Sequence, residues 1–210
     1  MTNAAANSMQ LFGAKTENSL RAAIALEESG LPYTATRLNL RAGEQRSEGF
    51  LSLNPAGKVP VLMVRRAGEP AVVFSQSTAI MLYAARVGQS QLLPEDATAA
   101  SGTAMERLFY VLTDVIAPSH AGAFAAWNGF QEARTVHLQH SIRAFALCEQ
   151  FLSNGPFLAG DTLTLADIAA VTFAKFNEKY IDWKELPALR RWLENVEGRP
   201  AVQRGLSAFN

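Results

Sequence analysis

The turn before the first predicted helix concentrates side chains that could stabilise an anion. Thr16, Asn18 and Ser19 occupy the first turn of this helix, and all three side chains can form hydrogen bonds. A helix N-terminus also leaves backbone N–H groups unpaired and has a partial positive charge. Such a turn can hold an anion such as a thiolate, while ordinary capping of the helix is the alternative interpretation.

The segment from Met9 to Pro32 must position this turn, and its pattern predicts a strand, a turn and a helix. Apolar residues recur at the spacing of one helix face, namely Leu20, Ala23 and Ile24. Charged residues are expected on the opposite face, namely Glu17, Arg21 and Glu28. Gly30 is expected to cap the C-terminus of the helix, and Pro32 prevents its continuation.

Length and composition describe an ordinary globular protein with one large domain or two smaller ones. The chain has 210 residues, of which 49% are hydrophobic and 18% charged. The formal net charge is zero, so no electrostatic footprint for nucleic acid or for an anionic membrane is expected. The single cysteine, Cys148, excludes an intrachain disulfide and a CxxC pair and is typical of a reducing compartment.

The N-terminus and the hydropathy pattern favour a cytoplasmic protein. Residues 1–8 lack the basic and apolar regions of a signal peptide and are expected to form a mobile tail. No uncharged apolar run approaches the length that spans a membrane, so no membrane association is expected.

The order of predicted elements differs between the two halves of the chain. A strand over residues 33–39 follows the first helix, and further strands at residues 59–64 and 71–74 precede a helix that ends at Gly88. The first half therefore reads βαβ followed by ββα, over residues 9–88. Residues 89–96 are polar and form the expected linker. Residues 97–210 contain only helical apolar stripes, one of which Pro118 is expected to bend or end.

Five segments, taken together in this order and spacing, resemble the cytosolic glutathione S-transferase family. They are LEESGLPY at 26–33, FLSLNPAGKVPVL at 50–62, FSQSTAIMLYAA at 74–85, LLP at 92–94 and GDTLTLADIA at 160–169. The resemblance implies an α/β plus all-α protein, with a thioredoxin-like domain followed by a helical bundle. It also implies a cytoplasmic homodimer that uses glutathione as a co-substrate and no metal.

The resemblance implies a glutathione site on three segments. Val59 and Pro60 match the family's Val-cis-Pro dipeptide, whose backbone pairs with the cysteinyl residue of glutathione, although a trans proline opening an edge strand is the commoner pattern. Gln76 and Ser77 match the pair that holds the γ-glutamyl group, with Gln76 in place of the usual acid. The implied glutathione contacts are Asn18, Gln45, Lys58, Val59, Pro60, Gln76 and Ser77.

The catalytic position departs from several classes of the family. Phe12 stands where other classes have a tyrosine, Thr16 where zeta-like enzymes have a serine, and Asn18 where beta-class enzymes have a cysteine. Thr16, Asn18 and Gln45 together most resemble the bacterial nu class, with Glu17 in the place of its proline. The subclass stays open between nu-like, beta-like and zeta-like features.

These residues lead to a mechanistic hypothesis. The hydroxyl of Thr16 or the amide of Asn18, aided by Ser19, is expected to donate a hydrogen bond to the glutathione sulfur. Lowering a thiol pKa by about two units requires about 2.7 kcal/mol of selective thiolate stabilisation, which one or two donors at a helix N-terminus can supply. Glu17 would oppose the thiolate and is therefore expected to face solvent.

The remaining candidate residues line the second substrate or support the fold. A pocket for an electrophile is expected between the domains, lined by Phe12, Ile116, His120 and Trp127. A partly exposed histidine at a helix end is the alternative for His120. Thr164 and Asp167 are expected to form a capping box, a folding role. His137 and His140 have no partner of metal-site type and are expected at the surface.

Three functions follow from this resemblance. The first is a glutathione transferase that conjugates a small hydrophobic electrophile, or that reduces a disulfide or peroxide with two bound glutathiones. The second is a glutathione-dependent isomerase or dehalogenase that uses the same thiolate. The third is a non-catalytic binding or interaction protein, which Gln76 and the absent tyrosine or cysteine favour.

Overall fold

The chain divides into two compact units. A computed structural model describes residues 7–210. The first unit contains residues up to Ser90 together with Pro200–Asn210, and the second contains Gln91–Arg199. The expected linker at 89–96 coincides with the division after Ser90. The expected helical domain at 97–210 differs from the observed unit, because residues 200–210 pack with the first unit.

The first unit is built on a four-stranded mixed sheet in the order β2-β1-β3-β4. The strands are β1 (Ser8–Gly13), β2 (Thr34–Arg37), β3 (Val61–Arg65) and β4 (Val72–Phe74). β2 is parallel to β1, and β3 is antiparallel to both β1 and β4. The predicted βαβ and ββα order and the thioredoxin-like fold are confirmed. Of the expected tail at 1–8, residues 1–6 lie outside the described residues, and Ser8 begins β1.

Helix α1 (Glu17–Glu28) follows β1 and begins at the N-cap Thr16. At its other end Gly30 has φ +65°, a conformation that glycine adopts without strain. The Leu31 N–H donates to the Leu26 carbonyl at 3.0 Å, and the Gly30 N–H donates to the Glu27 carbonyl at 3.1 Å. These two bonds form a Schellman motif, so Gly30 ends the helix as predicted.

The expected polar face of α1 is wrong at Arg21. Residues 19–26 of α1 are all buried, and Arg21 is only 1% exposed. Two helices of the same unit contact α1, namely α3 (Ser77–Val87) and α9 (Pro200–Ser207). A Cβ added at Gly205 of α9 would lie 2.6 Å from the Ile24 Cα, so glycine permits this close packing. Helix α9 therefore packs on α1 at Ile24, a residue of the predicted apolar face, while Arg21 is buried although the pattern assigned it to solvent.

A short helical connection links β2 to β3 on one face of the sheet. It consists of a 3₁₀ turn at Glu44–Arg46 and α2 (Glu48–Leu53). Phe50 of α2 packs edge to face on Phe12, with ring centroids 6.3 Å apart. Both rings belong to a small apolar cluster with Leu38 and Val61.

The second unit is helical, and its first helix continues through the proline that was expected to bend or end it. α4 (Ala99–Tyr110) leads into a π-helical segment at Val111–Ile116 and then into α5 (Ala117–Trp127). In the π-helical segment the Ala117 N–H donates to the Leu112 carbonyl, five residues earlier. Pro118 lies directly after this segment, at the start of α5, where a missing N–H is tolerated.

Three further helices complete the second unit. They are α6 (Gln131–Phe151), α7 (Leu165–Asn177) and α8 (Pro187–Glu197), with 3₁₀ turns at Leu152–Asn154 and Glu178–Tyr180. α5 packs on α6, and α4 packs on α7. Phe145 of α6 lies in an aromatic cluster with Phe173 of α7 and Trp192 of α8.

A capping box at the start of α7 contains Thr164 and Asp167. The Asp167 carboxylate is fully buried and accepts four hydrogen bonds. The donors are the Leu158 N–H, the Thr164 N–H and hydroxyl, and the Trp192 indole, at 2.8 to 3.0 Å. Burial raises the pKa of Asp167, and these donors oppose that shift. The Asp167 carboxylate therefore links α7 to α8 through Trp192, and to the loop before α7 through Leu158.

The continuous helix Ala99–Trp127 contains Glu106, Arg107 and Asp114, so it is not an uncharged apolar run of the kind that the prediction excluded. Its 29 residues are long and apolar enough, by length and composition alone, to cross a membrane. A single helix of this kind is weak evidence for a membrane span; 28% of its most apolar window is buried, and it packs against α6 and α7 within its unit.

Candidate functional site

The predicted site residues of the first unit lie at one end of the sheet. Phe12 near the end of β1 pairs with Val61 at the start of β3, and Leu62 pairs with Phe74 at the end of β4. Gly13 pairs with Arg37, so β1 and β2 end together. The segments at 14–18, 38–45, 54–60 and 75–77 therefore all meet at this end. The sheet register explains why residues distant in sequence can form a single site.

Hydroxyl groups form a hydrogen-bond network in residues 14–19 at the start of α1, which we call the α1 turn. The Thr16 hydroxyl donates to Ser19 Oγ at 3.0 Å, and the Ser19 N–H donates to Thr16 Oγ1 at 3.3 Å. The Ala14 N–H also donates to Ser19 Oγ, at 3.3 Å. Ser19 is fully buried, so its hydroxyl cannot reach a ligand. This corrects the expectation that Ser19 assists at the sulfur: its role is to hold the turn.

Asn18 connects this turn to the N-terminus of α3. The Ser77 hydroxyl donates to Asn18 Oδ1 at 3.4 Å, a long bond that nevertheless orients the amide. Ser77 is 8% exposed, and Asn18 is partly exposed. With its oxygen turned toward Ser77, the Asn18 amide has its two N–H donors available. Of the three predicted catalytic residues, Asn18 is therefore the best placed to donate to a ligand.

Glu17 was expected to face solvent, but its side chain instead pairs with a buried arginine. The Glu17 side chain is 13% exposed, and its Oε2 lies 3.3 Å from Arg21 Nη2. Burial lowers the pKa of Arg21 to about 10, and the Glu17 charge opposes this shift. A buried guanidinium needs a counter-charge, which explains the inward orientation of Glu17. Arg21 in turn neutralises a carboxylate that would otherwise repel an anion at the turn.

The backbone before β3 offers a binding edge for a peptide. The Val59–Pro60 peptide bond is cis, as the resemblance implied. Within the described residues, no hydrogen bond engages the Val59 N–H or carbonyl. The loop leading to Val59 is braced by buried Asn54, whose side chain donates to the Lys58 carbonyl at 2.7 Å. An extended peptide could pair with this free edge as an added strand.

Gln45 has a buried acceptor without a partner. Its Nε2 donates to the Leu40 carbonyl at 3.3 Å, whereas its Oε1 is buried and has no hydrogen-bond partner among the described residues. A buried polar atom of this kind costs free energy unless a ligand or water satisfies it. Gln45 thus fits a polar ligand group beside the β2 end of the sheet.

The other predicted contacts with glutathione are exposed. Lys58 lies in the turn after Asn54, with its side chain in solvent. Gln76 is the N-cap residue of α3 and is exposed, but its side chain makes no capping hydrogen bond. Both side chains are free to contact the charged ends of a peptide ligand.

The four residues predicted for an electrophile pocket are divided between the two units. Phe12 packs on Phe50 in the first unit. Within the second unit, Ile116 is 3% exposed, which corrects the expectation that it lines a pocket. His120 is exposed on α5, and Trp127 at the end of α5 is 91% exposed. The pocket expected between the domains stays a prediction.

The protein's own thiol is inaccessible. Cys148 on α6 has no exposed surface, and burial raises its pKa to about 12. Its expected role as an inert core thiol agrees with this environment. Among residues 7–210, no group of three or more His, Cys, Asp or Glu side chains is placed to hold a metal ion.

Sequence reasoning missed three cations near the turn. Lys15, Arg37 and Arg41 all lie at the same sheet end as Thr16 and line one cleft with it. Each belongs to a turn or strand end with no motif of its own, so only the parallel register of β1 and β2 could have indicated their proximity.

Comparisons with known proteins agree with this architecture. Family models for the N-terminal and the C-terminal domain of glutathione S-transferase match residues 17–87 and 119–200. The chain is 28% identical to the Escherichia coli disulfide-bond oxidoreductase YghU, over 94% of this chain and 73% of that protein. It is 27% identical to the E. coli disulfide-bond oxidoreductase YfcG, over 94% of both chains.

A solved structure extends the comparison to three dimensions. A glutathione transferase family member from Pseudomonas fluorescens, crystallised with two glutathione bound, superposes with a TM-score of 0.83 at 26% identity. The match covers 95% of this chain and 92% of that one. With both domain models matched and the mixed sheet, the cis-proline edge and the α1 turn in place, the chain belongs to the glutathione S-transferase family.

Proposed function

We propose that this protein binds glutathione as a thiolate at the α1 turn and uses it to reduce disulfides. The observation that carries this proposal is the Asn18 side chain, whose oxygen accepts from Ser77 and whose amide donors are left for the sulfur. Two relatives named disulfide-bond oxidoreductases support the reaction class. A P. fluorescens relative with two glutathione bound supports the use of glutathione.

The free Val59 edge and the buried Gln45 oxygen support the orientation of the tripeptide. Its cysteinyl backbone pairs with Val59, which directs the sulfur toward the α1 turn. Its γ-glutamyl end lies toward Gln76 and Ser77, and its glycyl carboxylate toward Lys58. Three of the groups that this pose uses, the Val59 backbone, Gln76 and Lys58, are free to bind a ligand.

The reaction proceeds by thiol–disulfide exchange between small molecules. The glutathione thiolate attacks one sulfur of the substrate disulfide, forming a mixed disulfide and releasing a thiolate that takes a proton from water. A second glutathione thiolate then attacks the glutathionyl sulfur, forming glutathione disulfide and releasing the second substrate thiol. Two glutathiones are oxidised for each disulfide reduced. Since Cys148 is buried, both attacking thiols come from glutathione.

The electrostatics at the turn suffice for thiolate formation. A free thiol with a pKa of about 8.5 is mostly protonated at neutral pH. The helix terminus contributes up to about 1 kcal/mol and a charge-assisted hydrogen bond about 1.5 to 3 kcal/mol, which together lower the thiol pKa by about two units. The pairing of Glu17 with Arg21 keeps the nearest carboxylate from cancelling this effect.

The test measures the pKa of bound glutathione by thiolate absorbance. We expect Asn18→Ala to raise this pKa by about one to two units and to lower kcat/KM for a small disulfide by about tenfold to a hundredfold. Ser77→Ala should raise it less, because Ser77 acts through Asn18. Asn128→Ala, at an exposed position of the second unit, serves as the matched control. An unchanged thiol pKa in Asn18→Ala would exclude this residue as the donor.

Conjugation of an electrophile and glutathione-dependent isomerisation need the same thiolate and are second candidates. Conjugation is favoured by the family. Assays with a panel of electrophiles and with disulfides distinguish both candidates from disulfide reduction. Retention on glutathione-agarose without any turnover would support a non-catalytic role, which the exposed, uncharged Gln76 favours.

The assembly and location follow the family in this proposal. We infer a cytoplasmic homodimer in which α3 and α4 face the symmetry mate. Light scattering coupled to size exclusion measures the mass in solution, and a monomeric mass would contradict the dimer without touching the thiolate site.

A further inference from the structure

A cleft of about 470 Å³ opens beside the α1 turn, and we call it the cationic cleft. It lies wholly within the first unit, between the turn that follows β1 and the segment that follows β2. The residues that give it its chemical character are Lys15, Thr16, Arg37, Leu38, Arg41 and Glu44. Its walls therefore combine three cations with an apolar surface.

The positive charge of the cationic cleft is not cancelled by the protein. Lys15, Arg37 and Arg41 are exposed, and within residues 7–210 none of these side chains has a hydrogen bond or an ion pair. The one acid in the lining, Glu44, is turned to the backbone, where its Oε2 accepts from the Asn39 N–H at 2.7 Å. With Glu44 counted, the lining still has more positive than negative charge, and such an excess raises the local concentration of anions.

The position of the cationic cleft links it to the reacting sulfur. Thr16 lines the cleft and also caps α1, next to Asn18. A molecule in the cleft therefore lies beside the proposed thiolate and can present a sulfur to it. The opposite end of the sheet has no such relation to the turn, although Arg65 and Arg66 are exposed there.

We propose that the cationic cleft binds the disulfide co-substrate through carboxylates. The preferred substrates are then disulfides with a carboxylate a few bonds from the sulfur, such as mixed disulfides of acidic thiols, over neutral or cationic ones. This proposal rests on the proposed disulfide reduction. It differs from the small hydrophobic electrophile expected from the sequence.

In the proposed chemical step, the carboxylates of the substrate lie beside the cations of the cleft. The bound glutathione thiolate attacks the nearer sulfur of the acidic disulfide, the S–S bond breaks, and the far half leaves as a thiolate that takes a proton from water. The carboxylates of the substrate stay paired with Lys15, Arg37 or Arg41 throughout. The cations thus bind the substrate and also stabilise the negative charge that moves onto the leaving sulfur.

The test uses three disulfides of similar length and different charge. They are 3,3′-dithiodipropionate, 2-hydroxyethyl disulfide and cystamine, assayed with glutathione at low ionic strength. We expect kcat/KM for the dianion to exceed that for the neutral disulfide by about tenfold or more, and the dication to be the poorest substrate. Raising the salt concentration should reduce this preference.

The combined variant Lys15→Gln, Arg37→Gln and Arg41→Gln identifies the source of the preference. The ratio of kcat/KM for the dianion to that for the neutral disulfide should fall by about tenfold. The matched control is Arg65→Gln with Arg66→Gln, which removes exposed cations of the same unit far from the cationic cleft, and its ratio should equal that of the parent. Circular dichroism and thermal unfolding verify that each variant is folded.

A binding measurement separates failure of this proposal from failure of the proposed function. Calorimetry measures the affinity of 3,3′-dithiodipropionate for protein saturated with S-methylglutathione, which cannot attack a disulfide. We expect tighter binding than for 2-hydroxyethyl disulfide, and weaker binding of the dianion by about fivefold or more in the combined variant. Equal affinities for the two disulfides, or the same ratio of these affinities in the combined variant and the parent, would contradict the proposal that the cationic cleft binds the disulfide. Absence of turnover with every disulfide would instead contradict the proposed disulfide reduction. The calorimetry would still show whether the cationic cleft binds the dianionic disulfide.

Discussion

The ring of Phe209 lies directly against the backbone of Gly13. A Cβ added at Gly13 would lie 2.3 Å from Phe209 Cζ, and Phe209 is 1% exposed. Gly13 is the last residue of β1 and precedes the turn that contains Thr16 and Asn18. A residue near the end of the described chain thus supports the start of the candidate site.

The first prediction concerns this contact. Gly13→Ala should destabilise the protein by about 1 to 3 kcal/mol, because the added methyl group overlaps the Phe209 ring. Phe209→Ala alone should cost about 3 to 5 kcal/mol by opening a cavity. The double variant should be more stable than the sum of the single changes predicts, since the truncated side chain leaves room for the methyl group. Urea unfolding measures all three, and strict additivity would contradict a direct contact.

Thr16 and Asn18 are predicted to separate structural from chemical roles. Thr16→Ala removes the N-cap of α1 and should lower the free energy of unfolding by about 1 kcal/mol, whereas Thr16→Ser should retain most of it. Because the Thr16 hydroxyl donates to Ser19, its removal should raise the pKa of bound glutathione less than Asn18→Ala does. Thiolate absorbance and urea unfolding of the same variants test the order. A larger pKa effect in Thr16→Ala would make Thr16 the principal donor.

Asp167 is predicted to be the most sensitive residue of α7. Asp167→Ala removes the acceptor of four buried donors and should cost about 3 to 5 kcal/mol. Trp192→Phe removes one of these bonds and keeps an aromatic ring, so it should cost less. Urea unfolding compares the two with the parent. Equal losses would show that indole packing, and not the carboxylate network, dominates.

The buried thiol predicts a pH dependence of stability. The pKa of Cys148 is raised from 9.0 to about 12 on folding, so between these values the folded state binds more protons than the unfolded state. The free energy of unfolding must then fall as the pH rises above about 9, by about 1.4 kcal/mol from this group at pH 10. Cys148→Ala should lack this component, and urea unfolding at pH 7 and pH 10 measures the difference. Parallel losses in both proteins would contradict it.

Local patterns predicted much of the fold and the edge of the site. Gly30 and Pro32 mark the end of α1, and a short run of consecutive apolar residues marks β3, because both depend on neighbours in the sequence. The cis bond at Pro60 followed from the resemblance to the family, and the polar turn at Asn18 from the residue types at the start of the helix. These features depend on short segments, which a single sequence records well.

Features that depend on distant parts of the chain were not predicted. The charged pattern of α1 assigned Arg21 to solvent, but α1 is packed against both α3 and α9, and Arg21 is buried and paired with Glu17. The three cations of the cationic cleft come together only through the parallel register of β1 and β2. Pro118 was expected to bend or end a helix, but the preceding π-helical segment accommodates it. The burial of Arg21 and the grouping of the cations depend on tertiary packing and on strand register, which a local pattern does not record.

The division of the chain has a consequence for how the protein is made. Because Pro200–Asn210 belongs with residues 7–90, the whole second unit is translated before the first can acquire its last helix. Until then the nascent sheet leaves Ile24 and Gly13 uncovered, where Gly205 and Phe209 later pack. In a chain stalled on the ribosome before residue 200, the first unit would therefore be incomplete and sensitive to protease. Release of residues 200–210 would complete its packing.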